Sequence, residues 1–404
     1  MEPRDDARSR TAAGIAAALA LAVEYADALV LGTARDVHEA IAARSFAAAA
    51  ILGGEAVRAP QRAHATVTRE VYGALGAGLG AVATGLRAVE RRGVGPRLEA
   101  TPAGRHVLSA VNGLIGDRLR EDRPRLAIDM AVRSDGRDVP LAPEALEAAF
   151  PAATGDVVVF LHGLGENDDS WNRRADGLEG SYGTRLAAST SWTPVYLRAN
   201  TGLPLAENGV ALASLLDDLV AAWPMPVRRL ALVGHSMGGL ILRAACAVST
   251  DAPRPWQELV SDVVTLGTPH LGAPLERAVA IGARALGSLP EAAPLGRILD
   301  YRSVGILNLR EGLAGDVQRL PHARYHLVAA TLAGRGHPVS LALGDLLVRY
   351  PSATARPRGG AAMFPDADVL HVPGAGHFAL LNHPDVDAAL RAWLSRPAPT
   401  RSPA

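Results

Sequence analysis

Lysine is missing from this sequence: all 41 residues counted as Lys plus Arg are arginine. With abundant alanine, glycine, proline and valine, that is the coding bias of a GC-rich genome, as in many bacteria, and not a physical signal. Cysteine is nearly missing as well. Cys246 stands alone, so no internal disulfide can form, and its place in an apolar helical stretch predicts a buried structural thiol. There is no surplus of either charge: 41 basic residues face 41 acidic ones. A chain without net positive charge lacks the electrostatic footprint of a nucleic-acid binder.

Long apolar runs are also absent. No segment supplies the ~20 strongly apolar residues that span a bilayer. Val71–Leu86 lacks charge but consists largely of Gly and Ala. Ile15–Val23 is short, follows mixed charges and runs into Glu24 and Asp27, so no secretory leader is expected and the location reads as cytoplasmic. The histidines are scattered without ligand spacing, and neither a metal nor a cofactor is expected.

What the sequence does have is apolar mass: 404 residues, 49% of them hydrophobic. That suffices for two domains, or for one α/β domain with additions. Residues 1–122 read as an Ala-rich helical region. Thr11–Ala34, Arg35–Leu52, Arg62–Glu90 and Ala103–Arg120 each carry apolar residues at helical spacing. Gly76 and Gly80 in the third of these have the separation that permits close helix–helix approach. Such helices predict packing on a neighbouring domain or self-association, with attachment to a membrane surface as the alternative. His38, His64 and His106 lie far apart there and read as ordinary residues.

From 123 to 396 the pattern changes to alternating strands and helices, as in a mostly parallel, doubly wound sheet. Strands are expected at Leu126–Arg133 and Asp138–Leu141, joined by an Asp-Gly turn. Others follow at Asp156–Leu161, Pro194–Leu197, Arg229–His235, Val263–Leu266, Tyr325–Thr331 and Val369–Val372. Glu207–Trp223 is a helix by its apolar spacing. The insertion 271–322 is long and holds short helical pieces, which suggests a cap or lid over the strand ends. Residues 397–404 form a Pro/Ser tail expected to be disordered.

One stretch organises the chemistry. Arg229–His235 is an apolar strand, Gly234-His235-Ser236-Met237-Gly238 a sharp turn, and Gly239 onward an apolar helix. This is the form of a nucleophile elbow, which lifts Ser236 above the sheet beside the N-terminus of a helix. A serine hydroxyl needs a base, and His377 sits in the Gly-rich loop after the last strand. His270 in Thr268-Pro269-His270 competes for that role and otherwise shapes the site. The acid must orient the imidazole, and Asp345 falls between Ser236 and His377 after the Tyr325–Thr331 strand. Asp366 and Asp368 lie close to the next strand, and Asp300 and Asp316 within the insertion. The backbone amides of Met237 and Leu164 are expected to stabilise an oxyanion, the latter from the loop His162-Gly163-Leu164-Gly165. His162, Gly163 and His235 are read as shaping that site.

On the motifs His162–Gly165, Gly234–Gly239, Gly267–Pro274, Gly344–Val348 and Gly374–His377, the chain from about Leu126 to Leu394 resembles the α/β-hydrolase superfamily. Within it, the chain resembles bacterial lipases and esterases related to the GPI inositol-deacylase-like group. The resemblance implies an α/β-hydrolase fold and a Ser236–Asp345–His377 triad. It also implies hydrolysis of carboxylic esters, of a lipidic or apolar small molecule, through an acyl-enzyme. Thioesterase, amidase or acyltransferase chemistry uses the same triad, and a non-catalytic scaffold with this fold is the alternative of another class.

Overall fold

The computed structural model describes residues 58–91, 98–249, 255–272, 319–332, 344–345, 347–357 and 359–398, with scattered positions between 20 and 55 and at 304 and 308. Two compact units emerge. One comprises Met1–Thr101 with Ala278–Arg302, the other Pro102–Arg277 with Ser303–Ala404.

Besides scattered positions, the described residues of the first unit form one long helix, α1 (Arg58–Arg91), and a 3-10 turn at Leu98–Ala100. A Cβ added at Gly80 would meet nothing within 4 Å, so the close approach expected there is not seen among the described residues. The expected helices at 11–34 and 35–52, most of the 271–322 insertion and the end of the 397–404 tail lie outside the described residues.

The second unit begins earlier than the expected boundary at 122. Helix α2 (Pro102–Asp122) belongs to it and buries Leu108, Ile115 and Leu119. Arg105 grips Asp169 with two hydrogen bonds of 2.7 and 3.0 Å, and Asn112 bonds the backbone at Leu126 and Ile128. An α/β sheet follows: β1 (Ala131–Ser134), β2 (Arg137–Val139), α3 (Pro143–Ala149), β3 (Asp156–Leu161), α4 (Tyr182–Ser189), β4 (Trp192–Arg198), α5 (Leu205–Ala222), β5 (Arg229–His235), α6 (Met237–Cys246), β6 (Val260–Leu266), β7 (Arg324–Thr331), β8 (Asp368–Pro373) and α7 (Pro384–Leu394). The expected strand at 126–133 is shorter, because only 131–134 pair with a neighbour.

The eight strands run in the order β2-β1-β4-β3-β5-β6-β7-β8. β1 is antiparallel to both neighbours, and every pair from β4 to β8 is parallel. A strand covered on both faces favours apolar residues, and β3 and β6 are buried at every position and apolar apart from Asp156, Ser261, Asp262 and Thr265. Alternate residues serve opposite layers. Val157, Val159 and Leu161 join Leu212, Leu216 and Leu240 on one face, while Val158 and Phe160 join Leu186, Leu390 and Trp393 on the other. Helices on both faces make the sheet the rigid middle layer, so the loops at the carboxyl ends of its parallel strands are where side chains can converge.

Candidate active site

Ser236 follows β5 with φ 52° and ψ −122°, a conformation that costs a non-glycine residue of order 1–3 kcal/mol and is held by what surrounds it. Its N–H donates to the Leu266 carbonyl at 2.8 Å. The turn is tight enough to demand glycine on both sides. A Cβ on Gly234 would lie 2.5 Å from the Gly239 nitrogen, and one on Gly238 2.4 Å from the Leu161 carbonyl oxygen. Met237 opens α6, where backbone N–H groups have no acceptor within the helix.

His377 comes from the loop after β8, and Asp345 from the segment after β7, whose return is closed by a 3.0 Å bond from the Leu332 N–H to the Gly344 carbonyl. The His377 Nδ1–H donates to Asp345 Oδ2 at 2.7 Å, and the His377 backbone N–H donates to the Asp345 carbonyl at 3.1 Å. The other carboxylate oxygen accepts from the N–H groups of Leu347 and Val348 at 3.0 and 2.8 Å. Both side chains are buried. The His377 ring stands 4.8 Å, centroid to centroid, from that of His235, the residue before Ser236.

The loop after β3 closes the other side. A Cβ on Gly163 would lie 2.9 Å from the Ser236 Cβ, so this loop passes directly over the elbow. The Gly163 N–H donates to Glu166 Oε2 at 2.8 Å and the Gly165 N–H to Thr201 Oγ1 at 2.9 Å. The amides on either side of Leu164 are thereby engaged, and no acceptor for the Leu164 N–H occurs among the described residues.

His162 and His270 have both ring nitrogens occupied. His162 Nδ1–H donates to the Gly163 carbonyl at 2.9 Å and its Nε2 accepts from the Ala199 N–H at 3.1 Å. Burial holds its pKa down. His270 accepts from Arg243 at 3.3 Å and bonds Thr265 at 3.2 Å. Burial and then the Arg243 charge hold it well below the ordinary histidine range. Neither has a lone pair to spare for a serine proton. Cys246 is buried, and burial pushes its thiol up to about 12. Of the other acid candidates, Asp368 pairs with Arg396 and Asp366 with Arg319, while Asp300 and Asp316 lie outside the described residues.

Glu166 is the functional candidate that the sequence did not disclose. Its Oε2 lies 2.7 Å from His235 Nδ1. Burial alone would raise its pKa, but the His235 imidazole and the Gly163 N–H outweigh that and bring it down to about 2. It is therefore a carboxylate, so His235 Nδ1 carries the proton and donates it. The only signal was a Glu three residues after a His-Gly turn, and its partner lies 69 positions away. Among the described residues no group of three His, Cys, Asp or Glu side chains could hold a metal ion, and no helix is long and apolar enough to cross a membrane.

This arrangement has relatives. The chain is 30% identical over 151 residues to a triacylglycerol lipase of Burkholderia plantarii, a match covering 36% of this chain and 38% of that one. It is 31% identical over 125 residues to a triacylglycerol lipase of Pseudarthrobacter phenanthrenivorans, covering 30% and 35%. Little more than a third of either lipase is thus spanned. Among solved structures, the mature lipase BlEst2 of Bacillus licheniformis aligns with 66% of this chain and 96% of its own, at 19% identity and a TM-score of 0.41. The model of the alpha/beta hydrolase family matches residues 158–389, more than half of the sequence and every loop described above. The chain belongs to the α/β-hydrolase family, with lipases among its relatives.

Proposed function

We propose that the protein hydrolyses carboxylic esters through an acyl-enzyme on Ser236, with His377 as general base and Asp345 as the group that orients it. The observation that carries this reading is the 2.7 Å His377–Asp345 contact beside a serine held at φ 52° on the elbow. In the first step the Ser236 Oγ attacks the carbonyl carbon while its proton passes to His377 Nε2. The oxyanion accepts from the N–H groups of Met237 and Leu164, preorganised donors that need no rearrangement as charge develops. Collapse expels the alkoxide, which takes the proton from His377. Water then repeats the sequence: its proton goes to His377, its oxygen attacks the acyl carbon, and Ser236 leaves with the proton restored. Throughout, the Nδ1 proton stays on His377 and is donated to the Asp345 carboxylate, which stabilises the imidazolium.

The substrate is an apolar or lipidic ester of the kind cleaved in the GPI inositol-deacylase-like group. Phe378, next to the base and 42% exposed, supports an apolar acyl or alcohol group at the mouth, its ring covered on one side by the Arg173 guanidinium at 4.7 Å. The test is a hydrolysis series over ester chain length, with Ser236→Ala as control, alongside fluorophosphonate labelling. Adduct on Ser236, and turnover that vanishes in the alanine variant, are expected. A folded wild-type protein that takes no label would overturn the reading.

A further inference from the structure

Helix α2 lies outside the residues that match the family, yet it touches the loop that carries Leu164. A Cβ on Gly113 would stand 2.8 Å from both the Cα and the N of Gly165, and 3.4 Å from Thr201 Oγ1. Backbone packs on backbone there, with no side chain between to absorb a shift. The same stretch meets the helix again further along. A Cβ on Gly202 would lie 2.1 Å from the Asn112 carbonyl oxygen, and Asn200 donates to the Gly116 carbonyl at 3.2 Å. The helix bends to follow this contact: Ile115, between Gly113 and Gly116, has φ −142° and ψ 25°.

The hydrogen bonds run in one chain from helix to amide. Asn200 is fixed by Gly116 and accepts from the Gly202 N–H at 3.1 Å. That holds the segment on which Thr201 sits, buried, and Thr201 Oγ1 accepts from the Gly165 N–H at 2.9 Å. Gly165 follows Leu164 directly, so its peptide plane shares the atoms that orient the Leu164 carbonyl and limits the rotation of the Leu164 backbone. Gly165 itself has φ +67°, a region in which it has no Cβ to restrain it. The loop therefore takes its position from what presses on it.

We infer that helix α2 is a positioning element for the oxyanion site, with Gly113 setting the height of the Gly163–Glu166 loop and Thr201 its orientation. This rests on the proposed role of the Leu164 N–H. The chemistry asks for a donor within a few tenths of an ångström of its working place, and a misplacement of about 1 Å can cost ~100-fold in rate.

The experiment uses the full chain, an ester that the wild type turns over, and an alkyl boronic acid as a mimic of the tetrahedral intermediate. Gly113→Ala must push the loop. Its kcat is expected to fall 10- to 100-fold with KM within about two-fold, and boronate inhibition to weaken by the same factor as kcat. Thr201→Val removes the acceptor while nearly keeping the shape. It is expected to lower kcat about three- to ten-fold, and Thr201→Ser to restore it. Val107→Ala, on the exposed side of the same helix, is expected to leave all these constants unchanged. If Gly113→Ala does not fold, the two Thr201 variants decide. Wild-type kcat and boronate affinity in folded Thr201→Val would overturn the inference while leaving the ester-hydrolase reading intact. Failure of the wild type itself to label with fluorophosphonate would overturn both.

Discussion

Two carboxylate–imidazole pairs stand side by side in this molecule, and they look alike: Asp345–His377 and Glu166–His235 each close at 2.7 Å, each is buried, and their rings are 4.8 Å apart. What separates them is what else each carboxylate holds. Asp345 spends its second oxygen on the amides of Leu347 and Val348, within its own turn, and so leaves the orientation of His377 as its one outward task. Glu166 uses the same oxygen for the Gly163 N–H and for His235, and so ties the loop over the elbow to the strand beneath it. Identical chemistry thus orients, in one place, the imidazole proposed to carry the proton, and makes a clamp in the other.

The comparison breaks most sharply in the rate. Asp345→Asn keeps an oxygen for the two amides but can no longer hold His377 in the right tautomer, and kcat is expected to fall about 10³- to 10⁴-fold with little change in KM. Glu166→Gln leaves an amide oxygen able to accept from both Gly163 and His235, and should lose about ten-fold or less. Steady-state kinetics on the two variants, measured together, checks this. Comparable losses would mean that the two pairs do not differ in role.

Stability should rank them the other way. Glu166→Ala leaves the Gly163 N–H and the His235 Nδ1–H buried without an acceptor. At about 1–3 kcal/mol for each unsatisfied donor, the loss should amount to about 2–6 kcal/mol. Urea unfolding at neutral pH measures it, and Asp345→Asn in the same assay should stay within about 1–2 kcal/mol of wild type. A Glu166→Ala protein as stable as wild type would remove the clamp from the account.

Much of this site was legible in the sequence because it is written locally. The elbow glycines answer to clashes within a few residues, and Asp345 and His377 each follow a strand whose apolar run announces it. The strand expected at Asp156–Leu161 has those ends in the structure, an unbroken apolar run of five residues opened by Asp156 and followed by His162. What was not legible depends on distant partners. Glu166 reads as a loop acid until His235 is seen against it. By its sequence helix α2 reads like the Ala-rich helices before it, because Gly113 meets Gly165 only in the fold, 52 positions on. A helical period says that a face is apolar and nothing about the backbone that will meet it.

The smallest expected effect is in acid. Glu166 is held at about 2 in the folded protein, below the 4.5 of an unperturbed glutamate. A depressed carboxylate stabilises the fold fully above its unfolded value and loses that contribution as pH falls toward its folded one. The window is therefore about pH 4.5 to 2, and the share lost between pH 5 and 3, at ~1.4 kcal/mol per unit, is on the order of 2 kcal/mol. Unfolding free energies at those two pH values should show Glu166→Gln with a shallower decline than wild type by about that amount. Asp345→Asn keeps Glu166 and its ties to Gly163 and His235, so its profile should retain the wild-type decline that this carboxylate supplies. If instead Glu166→Gln declines as steeply as wild type, the clamp does not owe its strength to the ionised carboxylate, and the two pairs differ by position alone.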